Sequence, residues 1–188
     1  MKIAFTGTSS TGKTTLIKEL FKNDEFESYN LNFSTTDARL LLDNMGAKQM
    51  DLMTDTQRMT FQKLYFRKKK EQELEKDNFI VDRSFVDVAS YWLVRECKND
   101  ISLANENNLL IQSKEFSTRY DIHFYFPYGI IPFEADGYRS ENDKQRQEIG
   151  IQIYTFLNEW NLKYISLDTE NLSERVKIVI ETLQGLKH

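Results

Sequence analysis

The sequence predicts an α/β protein whose parallel sheet is covered by helices on both faces, and three observations predict it. Short apolar runs recur at residues 3–6, 29–33, 79–81, 122–126 and 164–167, each bounded by turn residues. Runs of that length suit strands buried on both sides. Longer stretches with helical spacing lie between them, at 13–21, 37–44, 55–76, 87–97, 103–118, 143–160 and 172–186. Strands alternating with helices indicate βαβ units. The third observation is a glycine turn between the first run and the first helix.

That turn reads Gly7-Thr8-Ser9-Ser10-Thr11-Gly12-Lys13-Thr14 and satisfies the Walker A pattern G-x-x-x-x-G-K-[ST] at every fixed position. The chemistry needs these residue types. Glycines let the backbone curl so that successive N–H groups face a β-phosphate at the positive end of the helix that follows. Lys13 reaches toward the β- and γ-phosphates, and the Thr14 hydroxyl is a magnesium ligand. Gly7, Ser9, Ser10, Thr11, Gly12, Lys13, Thr14 and Thr15 are thus the expected nucleotide-binding residues.

After the second run, Asp37-Ala38-Arg39 is expected at the carboxyl edge of the sheet, either as an acceptor-binding pair or as a helix N-terminal Asp with an exposed Arg. Gln57, Arg58 and Gln62 share a face of the next helix and read as a polar surface. Further along it, Arg67-Lys68-Lys69-Lys70 is followed by Glu71, Glu73 and Glu75, a solvated face of mixed charge rather than a phosphate track.

The third run ends Val81-Asp82-Arg83-Ser84, which delivers a carboxylate to the edge where such sheets bind ligands. Asp82 is the expected metal contact and general base; the alternative, a helix cap, can be served by Ser84 instead. Arg83 is either a substrate contact or a structural ion pair. The stretch 127–142 holds both prolines, Pro127 and Pro132, with Gly129 and Gly137, and reads as an active-site lid reaching to about residue 147. It carries Asp136-Gly137-Tyr138-Arg139, with Arg146 beyond; Arg139 and Arg146 are expected to close over the transferring phosphoryl group. In the last helix Leu172, Val176, Val179, Ile180 and Leu183 form one apolar stripe.

Composition narrows the class. At 188 residues, with 40% hydrophobic and 29% charged residues, the chain fits a single globular domain spanning 1–188. No apolar run approaches the ~20 residues of a membrane helix, and the N-terminus has no signal-peptide pattern, so a soluble cytoplasmic protein is expected. Cys97 is the only cysteine and there are two histidines, which excludes an internal disulfide and a cysteine-built zinc site. A net charge of −4 favours a small-molecule substrate over DNA.

Four segments in order carry a family resemblance: G-T-S-S-T-G-K-T, D-A-R (Asp37, Arg39), D-R-S-F-V-D (Asp82 to Asp87) and D-G-Y-R (Asp136 to Arg139). The chain resembles the P-loop kinases grouped with the nicotinamide riboside kinase domain of the bacterial bifunctional NAD regulator, and is similar to phage kinases of deoxynucleotides or of hydroxymethylated uracil in DNA. It departs from that pattern in having Asp37 where the family has Glu. The resemblance implies a P-loop NTPase fold with a parallel five-stranded sheet and a lid, ATP as donor, Mg2+ as cofactor, and a nucleoside-like acceptor with Asp37, Arg39, Arg83 and Asp136 around it. A DNA base as acceptor and a regulatory nucleotide switch are the rival expectations; the latter would use neither lid nor acid-x-Arg element, and no N-K-x-D guanine motif is present.

Overall fold

The computed structural model of the protein describes residues 1–47, 50–96, 103–134 and 142–186. Strands β1 (Lys2–Gly7), β2 (Asn32–Thr35), β3 (Phe79–Asp82), β4 (Ile122–Phe126) and β5 (Tyr164–Ser166) form one five-stranded sheet in the order β2-β3-β1-β4-β5. Every pairing is parallel. The helices are α1 (Lys13–Leu20), α2 (Asp24–Glu27), α3 (Ala38–Asn44), α4 (Asp55–Leu74), α5 (Phe85–Glu96), α6 (Leu103–Ser117), α7 (Asp143–Glu159) and α8 (Leu172–Leu186), with a 3₁₀ turn at Met50–Leu52. None of the helices among the described residues is long and apolar enough to cross a membrane.

Alternation along each strand sorts the side chains into cores on opposite faces. Ile3, Phe5, Ile80 and Phe124 pack with Leu16 and Leu20 of α1 and with Val179 and Leu183 of α8. On the other face Ala4, Phe79 and Val81 meet Phe61 and Phe66 of α4 and Phe85 and Trp92 of α5, while Tyr125 meets Ile149 and Ile153 of α7. Each such side chain contributes roughly 1.5–3 kcal/mol on burial. Because both faces are covered, ligands have access only at the sheet's edge. The register sets Phe5 and Thr35 against Asp82, so β2 and β3 end together at that edge and β1 runs two residues further, to Gly7.

Three differences from expectation have a clear local reason. The second strand lies at Asn32–Thr35 rather than 29–33, because Asn30 turns the backbone left-handed at φ 52°. Tyr29 and Leu31 are buried without belonging to a strand. Helix α2 was not anticipated; Asn23 starts it by accepting from the N–H groups of Glu25 and Phe26. Helix α5 begins at Phe85, two residues before the expected Asp87. There the Ser84 hydroxyl accepts from the Val86 N–H at 3.1 Å, and the Asp87 carboxylate accepts from the Ser84 N–H at 2.8 Å. Ser84 thus caps the helix, and Asp87 reaches back to its N–H. Cys97, at the expected end of that helix, lies outside the described residues.

Gly7 closes β1 where no side chain fits, since a Cβ there would stand 2.6 Å from the Phe126 carbonyl oxygen and 2.8 Å from Phe126 Cβ. Both neighbours belong to a central strand and cannot swing away. Gly7→Ala is therefore expected to lower stability by ~1–3 kcal/mol, the usual cost of overpacking. Urea unfolding of the two proteins checks this, and an unchanged midpoint would contradict the close approach.

Candidate active site

The loop between β1 and α1 curls because two residues take left-handed backbone angles, Ser10 at φ 61° and Gly12 at φ 85°. Gly12 is also the N-cap of α1 and supplies no side-chain cap. The first-turn N–H groups of α1 therefore have no capping side chain, an arrangement suited to an anion. Lys13 is only 5% exposed. Its Nζ donates to the Gly7 carbonyl at 2.8 Å, to Thr11 Oγ1 at 3.0 Å, and to the Thr8 carbonyl. One residue on, Thr14 Oγ1 donates to Asp82 Oδ2 at 2.5 Å, joining the loop to the end of β3.

A second carboxylate fixes the loop from below. Asp87 is buried and accepts from the Gly7 N–H at 2.9 Å, from the Ser84 N–H, and from the Ser84 hydroxyl at 3.0 Å. Burial raises its pKa, and Lys13, Arg83 and these N–H donors oppose the rise. Between the two acids Arg83 also sits at a positive φ, 76°, with its N–H donating to the Phe5 carbonyl. For a bulky residue that angle is strained, and strain of this kind clusters at functional sites. The Arg83 guanidinium lies 5.0 Å from the ring centre of Tyr91, and Arg95 lies 4.6 Å from the same ring. The Tyr91 hydroxyl in turn accepts from the Ser9 N–H at 3.2 Å.

These groups line a cleft of about 840 Å³. Of the residues expected from the sequence, Ser9 to Thr15, Asp37, Arg39, Asp82 and Arg83 all line it. Gly7, at the end of β1, does not line it. Asp37 caps α3, accepting from the N–H groups of Arg39 at 2.9 Å and Leu40 at 3.0 Å, so its carboxylate has the helix-capping job that the sequence left open. The expected polar face of α4 is divided. Gln57 completes a capping box with Thr54, and Arg58 donates to the Met53 carbonyl, but Gln62 is buried and lines the cleft beside Phe61 and Tyr65.

Two placements differ from expectation. Arg146 is packed against the phosphate loop. It is 4% exposed on the first turn of α7, paired with Asp143 at 3.0 Å, 4.0 Å from the Phe133 ring centre, and 3.4 Å from the Ser9 carbonyl it donates to. It is not among the residues that line the cleft. The basic run on α4 is not uniformly solvated either, because Lys69 is fully buried. Asp136 and Arg139 lie outside the described residues.

A sequence model of the AAA domain matches residues 2–175. The chain belongs to that family. A comparison with curated proteins gives no match. Solved structures share the fold of the chain. Deoxyadenosine kinase from M. mycoides, with products dCMP and a flexible dCDP bound, aligns at a TM-score of 0.70 and 16% identity over 99% of this chain and 100% of that one. NadR protein in complex with NR aligns at 0.67 and 19% identity over 96% of this chain, which spans 50% of the NadR chain. Thymidylate kinase from Ehrlichia chaffeensis aligns at 0.62 and 15% identity over 98% of each. At these identities the likeness is one of fold, the P-loop kinase fold.

Arg175 is a further residue of the site that no motif in the sequence marks. It is 1% exposed, and its Nη1 donates to the Thr11 carbonyl at 2.9 Å while Nε donates to the Thr169 carbonyl at 2.5 Å. It ties the phosphate loop to the turn before α8. The available signal was its position, three residues after Leu172 and four before Val179, a cation on an otherwise apolar stripe.

Burial pushes Lys13 down to about 8, and Arg83 adds to the effect. Burial alone would raise Tyr91, but Arg83 and Arg95 outweigh it and bring the phenol down to about 8. The unfolded chain keeps the Lys13 proton up to its ordinary value of 10.5. Between about 8 and 10.5 the unfolded state therefore binds more protons, and both groups make the fold gain stability as pH rises through that window. A ¹³Cε NMR titration, with the Lys13 signal assigned by its loss in Lys13→Met, should show one lysine with a midpoint near 8. A midpoint above ~10 for Lys13, as in exposed lysines, would contradict the burial argument.

Proposed function

We propose that the chain is an ATP-dependent kinase that transfers the γ-phosphoryl group to a hydroxyl or phosphate of a nucleoside or nucleotide-like acceptor. One observation carries the reading: a single cleft gathers the glycine loop with Lys13 and Thr14, the acid Asp82, the strained Arg83, and a recess lined by Leu42, Phe61, Tyr65 and the buried amide of Gln62. A triphosphate needs the first group, phosphoryl transfer the second, and a planar base with polar edges the recess. The volume of the whole cleft falls within the usual range for small-molecule sites, ~300–1,000 Å³. The folds shared with deoxyadenosine kinase and thymidylate kinase support the same reading.

The loop amides and Lys13 hold the donor's β- and γ-phosphates. Thr14 and Asp82 present two hard oxygens 2.5 Å apart. That donor set fits Mg2+, which is usually bound through one or two protein oxygens and keeps its waters. Those two oxygens would hold the ion, whose charge would offset that of the donor phosphates. The acceptor oxygen bonds to the γ-phosphorus as the bond to the bridging β,γ oxygen breaks. ADP leaves with that electron pair, and a hydroxyl acceptor gives its proton to Asp82. Arg83 and Arg39 contact the acceptor, with Gln62 at its base. Catalysis of this kind is mainly positioning and electrostatic stabilisation.

We take residues 1–188 as one kinase domain acting in the cytoplasm, with 127–147 as its lid and Arg139 its phosphate-facing arginine. The start of that segment already rests on the phosphate loop, with the Glu134 N–H donating to Ser10 Oγ at 2.8 Å. Arg146 braces the Ser9 carbonyl and does not close over phosphate.

Labelled ATP with magnesium tests the reading against nucleosides, deoxynucleoside monophosphates, nicotinamide riboside and DNA carrying hydroxymethylated bases. Label is expected on a nucleoside or nucleotide. Asp82→Asn should lower turnover by ~10²-fold or more, on the scale of general-base and electrostatic groups, with a smaller loss of ATP affinity. Lys13→Ala should abolish transfer and remain folded. Label passing only to water would favour a nucleotide switch, and label on DNA alone would make the polymer the acceptor.

A further inference from the structure

Within the run Arg67-Lys68-Lys69-Lys70, one lysine behaves unlike the others. Arg67 is 65% exposed and pairs loosely with Glu71 at 4.0 Å, but Lys69 is 0% exposed. Its ammonium has two partners, both close: Glu73 Oε1 at 2.5 Å and the Arg83 carbonyl oxygen at 2.5 Å. The second oxygen of Glu73, itself 3% exposed, accepts from the Tyr120 hydroxyl at 2.6 Å. The Phe85 ring centre lies 5.1 Å from the ammonium. This is a closed chain of buried groups, Tyr120 to Glu73 to Lys69, ending on a backbone oxygen of the residue that carries the strained angle.

A buried ion pair is poor value for stability, because desolvation cancels most of the attraction, and apolar residues of similar size often do as well. What the pair does supply here is a donor aimed at one carbonyl. Arg83 is held on both sides of its α-carbon: its N–H donates to the Phe5 carbonyl at 2.9 Å, and its carbonyl accepts from Lys69. Pinning both peptide groups maintains a φ of 76° that an arginine would otherwise leave. That angle sends the guanidinium to the Tyr91 ring in the cleft.

We propose that Lys69, oriented by Glu73 and Tyr120, is a positioning residue that holds Arg83 in its left-handed conformation and so sets its guanidinium in the acceptor part of the cleft. The consequence for acceptor binding rests on the kinase reading given above; the effect on Arg83 does not.

Lys69→Met alone would leave Glu73 charged, buried and unpaired, so the test uses Lys69→Met together with Glu73→Gln, which keeps an acceptor for Tyr120. Tyr91 reports the position of Arg83 in solution, because Arg83 and Arg95 bring that phenol down to about 8. An ultraviolet tyrosinate titration of the wild type should show one early-titrating phenol, assigned by its loss in Tyr91→Phe. In the double variant that midpoint should rise by about one unit or more, because an attractive charge has moved away. With an acceptor identified, its KM should rise by about tenfold or more while the KM for ATP stays within about threefold, and placing the same changes on an Arg83→Ala background should add little. A Tyr91 midpoint unchanged in the folded double variant overturns the proposal, whatever the activity. A wild-type protein that phosphorylates no acceptor would sink the kinase reading, while the Tyr91 titration still decides this one.

Discussion

The Asp87 carboxylate is where the two loops of the cleft are joined. It takes the N–H of Gly7, the first residue of the phosphate loop, and both donors of Ser84, the residue before α5. Taking a carboxylate this far from water is costly unless it is paired and hydrogen-bonded. The positive charges of Lys13 and Arg83 and the converging N–H groups offset that cost. The offset works only while both cations stay close, so the placement of each buried charge depends on the others.

Around this acid the site is fixed by backbone contacts as much as by side chains. Lys13 holds the carbonyls of Gly7 and Thr8, Arg175 the carbonyl of Thr11, Arg146 that of Ser9, and Lys69 that of Arg83. Four cations thus spend their charge on carbonyl oxygens of the two loops. Such contacts hold the left-handed turns at Ser10, Gly12 and Arg83 in one geometry, which a site acting through electrostatics requires before its ligand arrives. The cations differ in kind as well. Arg175 reaches the carbonyls of Thr169, Thr11 and Leu167 through three different nitrogens of its planar fork, whereas each lysine gathers its partners around one point charge.

Much of this was legible in the sequence. The strand–loop–helix at residues 3–20 could be read because its spacing is local, and so could the acid at the end of the third strand. The parallel sheet followed from short apolar runs that alternate with helices. What could not be read depends on partners distant in the chain. Lys69 looked solvated because its neighbours Lys68, Lys70 and Glu71 are polar, and its burial depends on Arg83 and Tyr120 arriving from other elements. Arg146 looked like a lid residue because it follows a proline- and glycine-bearing segment; one of its partners, the Ser9 carbonyl, lies 137 positions away. Asp37 stood at the expected edge, but capping α3 is a local use of its carboxylate that spacing could not exclude.

The central claim is that one cleft seats a triphosphate and a nucleoside-like acceptor end to end. Calorimetric titration with dinucleoside oligophosphates, adenosine bridged through four or five phosphates to each candidate nucleoside, tests it most directly. If both ends are held at once, one of these compounds should bind with a stoichiometry of one per chain and about 10²-fold or more tighter than ATP, because the second end binds at the high effective concentration set by the bridge. Affinities no better than that of ATP across the whole series would contradict the account.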